Sequence, residues 1–296
     1  MEFGMITEKE LDVYRALIPA DISEHIGRSC YRALEGHPAG GGTSAVLVWR
    51  QEDHADDTPA VAELIWFYAA DADSGRELLE EFERRCRVAG VKRVDFEFGE
   101  EISEREAELE ALQAAGYIYH QAQSRDLTVT VADFKALPVS ARSKDYPNVA
   151  SLGTLTLNQM RKGVEHCIYR RRTGLLPDLY TLPLNWFETE LSCCAKPEEK
   201  VCGFLLVHPQ PSGGLSVELL YASEPAGKQD MLGMIRHAIS CLVRDYPDDT
   251  RVLIHRCNDE TRMLTDKLFP GRMGEPVIAG NKILTGTEDT MGQERY

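Results

Sequence analysis

This chain contains one short segment twice. Residues 62–69 (AELIWFYA) return, one or two residues shorter, as residues 217–222 (VELLYA). Each copy reads as an apolar strand with one glutamate near its start, Glu63 or Glu218. Each leads into a short acidic, glycine-containing loop, 71–76 (DADSGR) or 223–228 (SEPAGK), and then into a segment of helical period. A second apolar strand follows each helix, 91–98 (VKRVDFEF) or 251–256 (RVLIHR), and a further helix comes after it. A repeat this long is a duplicated domain and not a solenoid unit. The 296 residues suffice for two domains, each with its own core. The expected division is a first domain over 1–134, a linker over 135–148 containing Pro138 and Pro147, and a second domain over 149–296.

The surrounding signals fill in the fold class. Capping boxes at Thr7 with Glu10, Ser74 with Glu77, and Thr156 with Gln159 each predict the start of a helix. Residues 22–34 have helical period, and Gly40, Gly41 and Gly42 lead into a strand over 44–49. An acidic hairpin loop covers 52–59, and residues 126–131 alternate as a strand closing the first half. In the second half, a strand over 149–155 precedes the helix opened at Thr156. Residues 191–195, 201–208 and 215–222 then read as a three-strand meander. The expected class is α/β (α+β): two tandem domains, each a mixed, mostly antiparallel twisted sheet flanked by helices.

Charge divides the chain unevenly. Residues 1–134 carry 13 basic against 28 acidic side chains, the whole of the net charge of −15, while residues 135–296 carry 20 of each. The first half therefore repels polyanions such as nucleic acid and anionic lipid. The second half holds the basic cluster Arg161, Lys162, Arg170, Arg171 and Arg172. No nucleic-acid or membrane partner is expected, and no apolar run approaches the length of a bilayer span. The eight cysteines include no CxxC pair and no Cys/His cluster of zinc spacing, so no metal is expected. Free thiols and the opening residues MEFGMITE, without a signal-peptide pattern, point to the cytoplasm.

At the level of element order, both halves resemble a tandem member of the GNAT superfamily, the acetyl-CoA-dependent N-acetyltransferases. In the second half the likeness reaches residues. Residues 201–206 (VCGFLL) resemble the family's third strand and 218–222 its fourth. Residues 223–228 resemble its pyrophosphate loop, and Asn258 its last-helix asparagine. In the first half, residues 112–117 (LQAAGY) resemble the family's closing motif. The resemblance implies an acetyl-CoA site on Leu220, Tyr221, Ala222, Ala226, Gly227, Lys228, Gln229, Asp230, Met231 and Asn258. There, splayed strands pair with the pantetheine arm, and a helix N-terminus holds the pyrophosphate. Both loops depart from the family pattern [RQ]-x-x-G-x-[GA]. Gln229 and Met231 stand where small residues belong, and the first loop carries Asp71 and Asp73.

Acyl transfer to an amine needs a proton acceptor, donors for the oxyanion and an acid for the leaving thiolate. The resemblance makes Glu218 the candidate base, with Glu63 its counterpart in the first copy. Seven residues after Asn258, where the family has its tyrosine acid, stands Thr265, which leaves Tyr221 as the candidate acid. Cys257 reads as an apolar structural thiol, and His208 and His255 as core or surface histidines. The expected function is N-acetyl transfer by the second domain to an amine, with peptide, amino acid, polyamine and aminoglycoside acceptors all compatible. The altered loops equally fit a catalytically silent pair that senses a ligand or binds a protein.

Overall fold

The computed structural model describes residues 1–28, 30–39, 41–51, 60–138, 146–170, 178–256 and 258–284. In chain order, the first strands are β1 (Glu2–Ile6), β2 (Tyr31–His37), β3 (Ala45–Gln51), β4 (Ala60–Ala69), β5 (Val91–Gly99) and β6 (Ile118–Gln123). There follow β7 (Leu127–Thr130), β8 (Val149–Ser151), β9 (Cys193–Ala195), β10 (Gly203–Pro209), β11 (Leu215–Ala222), β12 (Arg251–Ile254) and β13 (Pro276–Ile283). They form a seven-stranded sheet of order β1-β2-β3-β4-β5-β13-β6 and a six-stranded sheet of order β7-β12-β11-β10-β9-β8. In each sheet one pair is parallel, β4 with β5 and β11 with β12, and a helix makes the crossover. The expected mixed α/β class is the observed one.

The first unit comprises Met1–Ser124 together with the chain from Pro276 onward, and the second comprises Arg125–Glu275. This corrects the expected cut at 135–148. β13 faces β5 from Ile283 with Arg93 to Val277 with Gly99, and faces β6 from Pro276 with Gln123 to Asn281 with Ile118. The strand expected to close the first domain instead pairs with β12, Ile254 opposite Leu127. Each unit is thus completed by a strand from the other half of the chain. An apolar alternation shows that a segment is a strand, but not which edge it joins.

In the first unit, the helices Ala72–Val88 and Glu106–Ala114 cover one face, burying Leu78, Leu79, Phe82 and Leu112 against Phe67 and Phe96. Gly75 lets these helices meet, since a Cβ there would lie 2.7 Å from that of Ala111. Tyr14, Ile18 and Ile26 pack on Val46 and Val48 of the other face. β13 adds a buried charge cluster, in which Glu83 accepts from Lys282 Nζ at 2.6 Å and from Arg87 at 2.9 Å. Residues 31–34, expected to end a helix, lie in β2. Ala33 and Leu34 are both buried on opposite faces of that strand, and such two-sided burial mimics helical period over a few residues.

The second unit has the same plan. The helix Lys228–Asp245 buries Met234, Ile235, Ala238 and Leu242 against Leu205, Val207 and Val252. On the opposite face, Met160 and Val164 of the helix Leu157–Arg170 pack with Phe204, Leu206 and Tyr221. The helix expected from the Thr156 capping box is present, with the Thr156 N–H donating to Gln159 at 2.8 Å. The adjacent thiols Cys193 and Cys194 point into opposite cores, and burial pushes Cys194 up to about 11. No helix among the described residues is long and apolar enough to cross a membrane.

Candidate active site

Two parallel strands stay together only while their shared register lasts. β11 and β12 pair at three positions, ending with Val217 opposite Ile254. β12 stops there, while β11 runs on to Ala222. The β12-facing edge of residues 218–222 therefore has no register partner in that strand. At the parting point the antiparallel register of β10 with β11 slips. Leu206 faces Leu219 and Val207 faces Val217, so the half-buried Glu218 is a bulged residue. A bulge bends its strand and re-aims a side chain.

The first unit repeats this opening. β4 and β5 pair up to Leu64 with Phe96, and the slip between Val48 and Trp49 makes Ile65 the bulge. Between the parted strands lies a cavity of about 190 Å³, lined by Ile65, Trp66 and Phe67 on one side and Glu97, Phe98 and Gly99 on the other. Aligned by their bulges, Glu218 corresponds to Ile65 and Glu63 to Ser216. The two repeated glutamates are therefore not counterparts, and Glu63 sits 2.5 Å from Arg50 in an ion pair.

The loops beyond the openings differ. In the first unit the helix begins at Ala72, earlier than the expected Ser74, because Asp71 caps it. The Asp71 carboxylate accepts from the Ser74 N–H and hydroxyl, each at 2.8 Å, and these bonds hold it below the usual carboxylate range. A negative charge thus sits where an anion would dock. In the second unit Gly227 caps the helix with φ −99°, and a Cβ there would meet nothing within 4 Å. The Gly227 N–H donates to Asp230 at 2.9 Å, and the other Asp230 oxygen accepts from Asn148 at 3.0 Å. Lys228 and Gln229 are exposed at the first two helical positions, where an α-helix offers its N–H groups no intrahelical acceptor, while the Asp230 N–H donates to the Gly227 carbonyl at 3.1 Å. Met231, like Leu220, Ala222 and Ala226, is partly buried and packs against the core of the second unit.

The remaining candidates are dispersed. Tyr221 is buried on the opposite face, beside Phe204 and Leu206. The Asn258 side chain caps the helix Asp259–Leu268, accepting from the Thr261 N–H at 2.8 Å. Thr265 is buried and its hydroxyl donates to the Thr261 carbonyl at 3.0 Å. Cys257, Gly40, Arg171, Arg172, most of the expected linker and the 52–59 hairpin loop lie outside the described residues.

No protein-family model and no curated protein matches the chain. Solved structures do. A tandem GNAT protein from the clavulanic acid biosynthesis pathway aligns over 97% of this chain and 99% of its own, at 10% identity and a TM-score of 0.59. This chain has the tandem GNAT fold. A GCN5-related N-acetyltransferase from Sphaerobacter thermophilus covers 94% of this chain and 86% of its own, at 12% identity and a TM-score of 0.50. A glucosamine N-acetyltransferase region of a fungal multi-domain β-N-acetylglucosaminidase covers 95% of this chain and 38% of its own, at 8% identity and a TM-score of 0.54.

Within this GNAT fold, sequence reasoning missed one constellation. At the apex of the second opening, His255 Nδ1 lies 2.6 Å from Asp126 and His255 Nε2 lies 3.2 Å from the Ser216 hydroxyl. Burial raises the Asp126 carboxyl, but His255 and the Arg256 N–H more than offset it and hold the group below its ordinary value. The only sequence signal was a serine and a histidine on the two strands flanking a parallel crossover. The division expected from the sequence places Asp126 in the other domain.

Proposed function

We propose that the chain is an N-acyltransferase that moves an acetyl group from acetyl-CoA to an amine, using the opening between β11 and β12. The observation that carries this reading is the end of parallel pairing at Val217 and Ile254 while β11 continues to Ala222. A backbone edge of that kind suits strand-like pairing with the amides of a pantetheine arm. Leu220, Tyr221 and Ala222 would supply that edge, with Ala226 and Met231 behind it. Gly227, Lys228 and Gln229 would meet the pyrophosphate, Asp230 and Asn258 fixing the two helix starts beside it. Glu218, set on the bulge at the apex, is the carboxylate placed to accept a proton from the acceptor ammonium. Bound there, acetyl-CoA supplies an activated thioester.

The first unit has the slot but an acidic entrance, and we assign it no donor binding. One observation favours the second reading, a silent sensing pair: the carboxylates of Asp71 and Asp230 lie at the starts of both crossover helices.

Calorimetric titration of acetyl-CoA into the wild type and Gly227→Glu tests the proposal. The open space around Gly227 and its negative φ let the variant keep the fold while placing a carboxylate at the phosphate end. Micromolar binding that the variant abolishes supports the reading. Absence of heat and of a thermal shift at high acetyl-CoA sinks it and leaves the sensing pair.

A further inference from the structure

Three neighbouring strands bring three chemically matched side chains onto one face. Leu253 faces Ser216 on β11 and Thr128 on β7, so by alternation His255 and Asp126 share the face that carries Ser216. That face lies opposite the core formed by Leu127, Val252, Ile254, Leu215 and Val217 under the Lys228–Asp245 helix. The Asp126 carboxylate accepts the Nδ1–H of His255, which leaves Nε2 with its lone pair toward the Ser216 hydroxyl. Opposite Ser216 on β10, His208 stacks on Trp186 and donates its Nδ1–H to the Trp186 carbonyl at 2.7 Å, while the Ser216 hydroxyl meets His255 Nε2 at 3.2 Å. Ser216 is buried and His255 half-exposed, one residue past the last paired position. An arm lying along residues 218–222 spans about 17 Å at strand rise, from the loop to this apex.

We propose that Ser216, His255 and Asp126 act as nucleophile, base and orienting carboxylate, and that the acyl group passes from the thioester through an acyl-serine on Ser216. This rests on the acyl-transfer reading above and replaces direct attack by the acceptor with two steps. In the first, His255 Nε2 takes the Ser216 proton, Oγ bonds to the thioester carbonyl carbon, and the C–S bond breaks. The thiolate leaves with the proton from Nε2. In the second, the acceptor amine attacks the ester carbonyl, His255 takes its proton, and Oγ departs carrying that proton back. The backbone at the Glu218 bulge, where β12 has ended, is the place assigned to the oxyanion donor. Asp126 fixes the tautomer of His255 and does not itself accept the proton.

The test uses the full chain, a fluorophosphonate probe and S-acetyl-N-acetylcysteamine, a thioester with no nucleotide. Peptide mass spectrometry reads the modified residue. The expected result is a fluorophosphonate adduct and an acetyl adduct on Ser216, each formed at least about 10²-fold more slowly in His255→Ala. Asp126→Asn is expected to slow labelling and to remove a low-field His255 Nδ1–H proton resonance that Ser216→Ala retains, which a purely structural role would not produce. Adducts on Ser216 with no acetyl-CoA heat support the triad and remove only the CoA reading. A folded wild type that binds acetyl-CoA yet gives no adduct on Ser216 with either probe overturns the triad and leaves the acyltransferase standing.

Discussion

Ending the chain at residue 134 removes β13 from between β5 and β6. The loss can be sized from the register. β13 faces β5 at seven positions and β6 at six. An antiparallel ladder carries about one hydrogen bond per facing position, and each contributes about 1 kcal/mol, giving on the order of 10 kcal/mol. Burial of Val277 and Ile278 adds about 2 kcal/mol apiece. A whole domain is stable by only about 5–15 kcal/mol. Fragment 1–134 is therefore expected not to fold cooperatively. Gln123 faces Pro276, so a turn of a few residues joining Ser124 to Pro276 should restore the missing strand in a single continuous unit. Urea titrations followed by circular dichroism compare the two chains. A sigmoidal transition for the joined chain and a featureless one for 1–134 is the expected pair. If 1–134 unfolds cooperatively at the same midpoint as the joined chain, the assignment of β13 to this sheet is wrong.

Two further perturbations probe the charges. Lys282→Ala leaves the buried Glu83 with Arg87 as its remaining ion-pair partner and is expected to cost about 3 kcal/mol in urea unfolding, whereas Lys282→Met combined with Glu83→Gln should recover most of it. Asp126, whose folded value is depressed, stabilises the fold above its unfolded value of about 4, and this contribution is lost as pH falls through the folded value. The stability gap between wild type and Asp126→Asn should therefore narrow on acidification. A gap unchanged between about pH 7 and about pH 2 would refute the hydrogen bond of His255 to the ionised Asp126 carboxylate.

Most of the fold was legible because local signals and tertiary partners agreed. The duplicated strand, the loop after it and the crossover helix appear in both units. The glycine at Gly90, with φ +80°, ends its helix as its type dictates. The strand exchange was not legible. Nothing local in residues 127–130 separates the edge beside β12 from one in the first sheet, and four alternating residues fit either. The same blindness hid the site. Ser216 and His255 are close in space through the crossover, but Asp126 reaches His255 only because β7 changes sheets. Glu63 and Glu218 looked equivalent in the sequence, and only the two bulges show that they are offset by two positions.

The exchange also sets the order of events during synthesis. Residues 125–275, all that the six-stranded sheet requires, leave the ribosome before Pro276 does. The first unit to be translated is thus the last whose sheet can close. Until β13 arrives, β5 and β6 present bare edges in the nascent chain, including the apolar Phe96 and Phe98, to whatever else is being made nearby. Domains usually mature in the order in which they emerge, and this chain reverses that order.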